Sequence, residues 1–417
     1  MKVTLAGWGC GNDTWTREAE DAVKNADLVI GSARLLALLP EISGKKREEV
    51  RAESILSVLE EENPDRAGVL LSGDSGFYSG AAKLASLLEE KEISYEILPG
   101  ISSLQAFSAR IKRPWQEWRL CSEHGAFCDP VHEVMQEKPV FFLTSGENGP
   151  ASLCRALTDA GLSDLAVTVG ENLGLTSEKI ERGTAGDFAD RRFEKMNVML
   201  AEAAPVYKRR TPGIPDEEFI RRSVPVNKQE SGGDIEGAEQ KSCRQVPMTK
   251  QMVRAAMLSC LGVSPDDVCW DIGTGTGSTA VELSLCSREV WSVERDEEAL
   301  LAARKNREKF CAWNLHLISG EAPDVLQSLP APDAVFVGGS GGKLGEIFDE
   351  IFRANPHARI CVSAIALETL EKAVSCFKKY SCVPEITQIS VSRARQTGGL
   401  SLMTAQNPVF LITGRLS

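Results

Sequence analysis

The chain has no apolar run approaching the roughly 18 residues that crossing a bilayer requires. Its N-terminal run, Val3–Ala6, is only a few residues long and breaks at Gly7 and Gly9, so it reads as a strand entering a loop and not as a secretion signal. The 12 cysteines are scattered and form no CxxC pair, which speaks against redox motifs and zinc ribbons. Without an export signal they are expected to be reduced, mostly buried thiols of a cytoplasmic protein. Basic residues are also in deficit. Lys and Arg total 47 against 59 Asp and Glu, a net charge of −12, so a nucleic-acid backbone is not the expected partner.

What is present is material for two globular domains: 417 residues, 42% hydrophobic and 25% charged. Short apolar runs alternate with amphipathic stretches, an α/β pattern. In the first half Val3–Ala6, Leu28–Ile30, Gly68–Leu71, Tyr95–Leu98, Val140–Leu143, Ala166–Val169 and Asn197–Ala201 read as strands, and Thr16–Asn25 and Ser79–Glu89 as helices. The alternation stops at the Pro- and basic-rich join Ala203–Gly213, so the domains are expected at 1–205 and 206–417. A polar stretch, 225–245, reads as an inserted loop, flanked by the echo of Val224-Pro225-Val226-Asn227-Lys228-Gln229 in Val246-Pro247-Met248-Thr249-Lys250-Gln251. Strands resume at Val268–Ile272, Glu289–Val293, Leu315–Ile318, Ala334–Val337 and Arg359–Ser363. Two β-rich runs, Cys382–Val391 and Pro408–Thr413, end the chain as an expected closing hairpin.

The sharpest motif is Asp271-Ile272-Gly273-Thr274-Gly275-Thr276-Gly277-Ser278. A hydrophobic strand runs into glycines, which let backbone approach a ligand, and then into a helix near Ser278. An acidic residue at the strand end with GxGxG spacing points to S-adenosylmethionine (SAM) and away from NAD. A second carboxylate, Glu294, ends the next strand 23 residues on, where ribose hydroxyls are bound in such sheets. Glu321 follows the third strand, beside the expected adenine position. Gly338 and Gly339 follow the fourth, where a methyl acceptor enters and where glycines leave room for a bulky, flat molecule. No Asn-Pro-Pro-Tyr tetrad of base-amine methylation stands there.

With Gly213-Ile214-Pro215-Asp216, Pro247-Met248-Thr249-Lys250, Val293-Glu294-Arg295-Asp296, Val337–Gly342 and Asn407-Pro408-Val409-Phe410, this half resembles the decarboxylating precorrin methyltransferase domains of cobalamin synthesis. The resemblance implies a Rossmann-like class I fold and SAM contacts at Thr249, Asp271, Gly273, Thr274, Gly275, Gly277, Glu294, Glu321, Gly338 and Gly339. It also implies methylation at carbon 15 with loss of the ring C acetate carboxyl. Glu321 departs from the pattern, in which Asp is usual. A tetrapyrrole carries many carboxylates, and Arg393 and Arg395 are its candidate partners.

The first half places glycine loops after strands at Gly7-Trp8-Gly9-Cys10-Gly11 and Gly73-Asp74-Ser75-Gly76-Phe77-Tyr78. With Leu98-Pro99-Gly100-Ile101-Ser102-Ser103, His124-Gly125, Leu143–Glu147 and Val169–Gly174 it resembles the tetrapyrrole (class III) methylases, nearest those acting at carbon 5. That implies two α/β subdomains, about 1–112 and 113–203, and a second SAM held by Gly73, Asp74, Ser102, Ser103 and Thr144. The first loop departs from GxGPGD, with Cys10 in place of Pro and Asn12 in place of Asp. Cys121, His124, Cys128 and His132 offer zinc-type ligands, but Gly125 and Pro130 interrupt them in no standard spacing, and no metal is expected.

The resemblances together imply one SAM per domain, a small-molecule tetrapyrrole partner and a homo-oligomer. Two alternatives stay open at the level of sequence: an RNA methyltransferase, or a first half that is a non-catalytic oligomerising module. No nucleophile triad is visible, and the catalytic residues stay unassigned.

Overall fold

The computed structural model describes every residue except 12–13, 40, 124–127, 145–148, 209–210, 222–245, 247 and 416–417. The inserted loop, His124 and Ser145-Gly146-Glu147 therefore lie outside the described residues. Two compact units result, Met1–Ala204 and Pro205–Ser417.

The first unit holds two five-stranded sheets. Strands β1 (Lys2–Gly7), β2 (Leu28–Gly31), β3 (Lys45–Glu48), β4 (Arg66–Leu71) and β5 (Ser94–Leu98) form a parallel sheet ordered β3-β2-β4-β1-β5. The four residues of β2 and all but the first of β1 are buried, as expected for strands covered on both faces. The second sheet, mixed in direction, runs β6 (Arg119–Ser122), β7 (Val140–Leu143), β10 (Asn197–Ala201), β8 (Ala166–Glu171), β9 (Lys179–Thr184). Strands β3, β6 and β9 escape the sequence reading for a physical reason. Each lies at or beside a sheet edge, and the Lys-Lys-Arg-Glu of β3 is exposed at all four positions, so no apolar alternation marks it.

The second unit is a seven-stranded sheet ordered β13-β12-β11-β14-β15-β19-β16, from β11 (Val268–Ile272), β12 (Glu289–Glu294), β13 (Leu315–Ser319), β14 (Ala334–Val337), β15 (Arg359–Ala364), β16 (Glu385–Ile389) and β19 (Val409–Gly414). All strands are parallel except β19, which is antiparallel to both of its neighbours. Helix Leu344–Ala354 shows why the faces close. Leu344, Ile347, Phe348, Ile351 and Phe352 recur on one stripe and are all buried. Phe348 meets Phe377 of the next helix edge to face, ring centres 4.9 Å apart.

One sequence expectation is corrected here. The final two runs are not joined directly. Between them stands a separate hairpin, β17 (Ser392–Thr397) with β18 (Leu400–Ala405), turning at Gly398-Gly399. Both strands are fully exposed, so no burial pattern marks them in the sequence.

Candidate functional site

In the second unit a cavity of about 740 Å³ opens at the carboxyl ends of β11, β12 and β14, where ligands of open α/β sheets bind. Glycine builds its floor. Gly273, Gly275 and Gly277 all have positive φ. A Cβ on Gly273 would stand 2.7 Å from the Gly339 carbonyl oxygen, so the loops after β11 and β14 meet backbone to backbone.

Two carboxylates flank this floor. Glu294, the last residue of β12, is pinned by amides: Gly275 donates to Oε2 at 2.9 Å, Arg295 and Asp296 to Oε1 at 2.9 and 3.0 Å. Its carboxylate therefore has a fixed orientation at the cavity wall. Asp271 is fully buried; Thr274 Oγ1 donates to its Oδ2 at 2.5 Å, while Oδ1 has no close hydrogen-bond partner among the described residues. Burial raises the Asp271 carboxyl to about 7, with the Glu294 charge adding to the rise and the Thr274 hydrogen bond opposing it.

The amide-pinned Glu294 carboxylate beside a glycine floor can accept from vicinal hydroxyls, and Asp271 sets a second acidic group in the buried layer beneath. The rise on Asp271 has a sign. A folded-state value of about 7 against about 3.9 unfolded means the native state holds an extra proton between those values, so stability falls as pH rises from about 4 to 7. Asp271→Asn should therefore melt at a higher temperature than the unsubstituted chain at pH 8, and match it near pH 4. The same variant should bind SAM more weakly. Thermal denaturation across pH measures the first, calorimetric titration the second.

Of the residues expected around SAM, Thr249, Gly273, Thr274, Gly275, Glu294, Glu321, Gly338 and Gly339 line the cavity. Asp271 and Gly277 sit just beneath it, one at the end of β11 and the other capping helix Ser278–Ser284. Glu321 lies between two cations, 3.3 Å from Arg295 and 3.5 Å from Lys343. Arg393 and Arg395 are elsewhere: on β17, exposed, outside the residues lining the cavity. Arg393 donates to Gln251 Oε1 at 2.8 Å.

A buried node beneath the entrance was missed in the sequence. Arg254 is wholly buried and ties together Glu282 (2.7 Å), Asp216 (2.9 Å) and the carbonyls of Thr249 and Ile214, with the Phe219 ring 4.7 Å from its guanidinium carbon. Glu282 accepts in turn from the Gly213 and Ile214 amides at 2.7 and 3.0 Å. The signal was present: Arg254 falls on the same helical stripe as buried Val253, Met257, Leu258 and Leu261, a place where an unpaired cation would be prohibitive.

In the first unit the loops after β1, β4 and β5 converge. Gly9 and Gly73 exchange backbone hydrogen bonds at 3.1 and 2.8 Å. A Cβ on Gly100 would stand 2.4 Å from the Gly7 oxygen and 2.5 Å from that of Gly73. Asp74 Oδ1 accepts from the Gly76 amide at 2.5 Å, which shapes the loop and leaves Oδ2 for a ligand. Ser102 caps helix Ser103–Ile111 through a capping box with Gln105. Thr144, at the end of β7, donates to the Asn197 carbonyl at 2.8 Å. Gly73, Asp74 and Ser102 thus share the carboxyl edge of the first sheet, with Ser103 opening the helix beside it, whereas Thr144 lies on the second sheet. Of the zinc-type set, Cys121 and Cys128 approach with thiol sulfurs 2.6 Å apart and Glu133 nearby. His132 faces Gln136 instead.

Comparison with known proteins places one family in each unit. Residues 2–189 match the tetrapyrrole (corrin/porphyrin) methylases, and residues 243–414 match the precorrin methyltransferase domain. A precorrin-6Y C(5,15)-methyltransferase (decarboxylating) from Sinorhizobium is 30% identical over 95% of this chain and 91% of its own length. The chain belongs to the precorrin-6Y C(5,15)-methyltransferase family. A probable cobalt-precorrin-6B C(15)-methyltransferase (decarboxylating) from Pyrobaculum calidifontis aligns with one half alone, 39% identical over 49% of this chain and 95% of the relative. A solved precorrin-6y C5,15-methyltransferase structure from Geobacter metallireducens is 34% identical over 49% of this chain and 97% of that one, with a TM-score of 0.42. Members of this family are methyltransferases, and this chain carries both of its domains.

Proposed function

We propose that the chain methylates a precorrin ring at two carbons, using one SAM in each unit. Residues 205–417 serve carbon 15 and remove the ring C acetate carboxyl; residues 1–204 serve carbon 5. The observation that carries the reading is the cavity of the second unit, where a glycine floor at Gly273 and Gly339 faces the amide-pinned Glu294.

Bound SAM supplies an already electrophilic sulfonium methyl, so the protein needs no nucleophile of its own. Its work is alignment, which is worth at most roughly 7–11 kcal/mol. Glu294 and Asp271 fix the donor end. Gly338, Gly339 and Gly341 add no side chains of their own where a flat ring must enter, while Val293, Phe336 and Val409 give the cavity apolar surface. Lys250 and Arg295 at its rim are cations suited to acceptor carboxylates.

Among the described residues no helix is long and apolar enough to cross a membrane. A cytoplasmic small-molecule enzyme is the reading this supports together with the acidic balance. Exposed Leu400, Leu402 and Met403 on the β17–β18 hairpin support a homo-oligomer assembled through the second unit.

The division of labour is tested with Glu294→Gln and ¹³C-methyl SAM. The variant should still place one labelled methyl at carbon 5, release no carbon dioxide, and bind one SAM per chain where the unsubstituted chain binds two. Loss of both methylations, or of neither, would contradict it.

A further inference from the structure

Arg34 stands out among the cations of the first unit. Arg47, Arg110, Arg113, Arg119, Arg155 and Arg191 are each paired with a carboxylate. Arg34 is half-buried, and among the described residues no carboxylate forms an ion pair with it. Its one hydrogen bond is from Nη2 to Ser72 Oγ, 2.8 Å. Burial pushes its guanidinium down from its ordinary value, with the Cys10 thiol opposing that. Taking a cation partly out of water without an anion is unfavourable, so the position needs a compensating partner.

Its location says what that partner is near. Arg34 follows β2, on the short helix Ala33–Ala37. Ser72 follows β4, directly before Gly73 and Asp74, and Cys10 follows β1. In the sheet β2 neighbours β4, and β4 neighbours β1. The side chain therefore leaves one strand end and lies over the next, toward the third. It reaches the carboxyl edge of the sheet at Ser72, next to Gly73, whose loop meets the bare backbone of Gly7 and Gly100. Among the described residues, its fork of N–H donors has only the Ser72 bond, which leaves donors suited to the two oxygens of a carboxylate.

We propose that Arg34 is the carboxylate anchor of the first unit's site, holding an acid side chain of the tetrapyrrole acceptor or the methionine carboxylate of SAM. This rests on the functional reading above.

The test uses the full chain with Arg34→Gln and Arg34→Lys, ¹³C-methyl SAM and the precorrin acceptor, reading the carbon-5 and carbon-15 methyls separately. For Arg34→Gln the KM for the acceptor in carbon-5 transfer should rise roughly tenfold or more, the loss of one charge-assisted contact. The carbon-5 kcat, the carbon-15 reaction and the melting temperature should stay close to those of the unsubstituted chain, and lysine should restore part of the loss. Added salt should raise the KM of the unsubstituted chain but barely move that of Arg34→Gln. If the SAM affinity of the first unit falls instead, the anchored carboxylate is that of SAM. Unchanged KM and unchanged SAM affinity would overturn the anchor. So would a loss that neither lysine nor salt modulates. An unsubstituted chain that never methylates carbon 5 would instead overturn the functional reading beneath it.

Discussion

Arg254→Ala should lower the melting temperature of the second unit by roughly 6–20 °C, from a loss of about 3–5 kcal/mol in a unit of this size. The side chain is wholly buried, and its removal leaves Glu282, itself buried, with an uncompensated charge. The damage spreads because Glu282 also holds the Gly213 and Ile214 amides, while Arg254 holds the Thr249 carbonyl just before Lys250 at the cavity rim. Glu282→Gln keeps the shape but only one of the two amide contacts, because its NH2 cannot accept from a backbone N–H, so it too should lower the melting temperature. Thermal denaturation followed by calorimetry, which separates the transitions of the two units, measures both. A shift below about 3 °C for Arg254→Ala would mean the node is not a structural keystone.

Gly273→Ala should cost the second unit its SAM with little change in global fold. At φ +77° an L-residue pays roughly 1–2 kcal/mol for the left-handed conformation alone. The added methyl also meets the backbone of Gly339 at 2.7–2.9 Å, and backbone cannot rotate away as a side chain would. The loops after β11 and β14 must therefore separate, displacing the Gly275 amide that orients Glu294. Calorimetric titration should show SAM stoichiometry falling from two per chain to one, with carbon-15 transfer and carbon dioxide release reduced at least a hundredfold. Retention of two sites at unchanged affinity would show that this loop does not hold the donor.

The fold was legible where burial leaves a mark. Val268–Ile272 and Gly68–Leu71 are largely buried, mostly apolar runs, and glycines that read as a site follow their carboxyl ends. Strands β3, β17 and β18 carry no such mark. Their side chains face water, so no alternation of apolar and polar residues marks them. The Arg254 node is legible only in part, through its place on a buried helical stripe. Its partners lie 28 and 38 residues away, and no local pattern announces which carboxylates will meet one arginine. Arg393 and Arg395 show a limit of another kind: the sequence marks two arginines before a Gly-Gly pair, but not that Gly398-Gly399 turns an exposed hairpin or that Arg393 meets a glutamine.

The most direct test of the proposed chemistry is mass spectrometry of the unsubstituted chain incubated with SAM and the precorrin-6Y-type acceptor. The expected product has gained two methyl groups and lost one carbon dioxide. A ring returned unchanged while SAM remains bound would contradict the assignment of a tetrapyrrole acceptor to this chain.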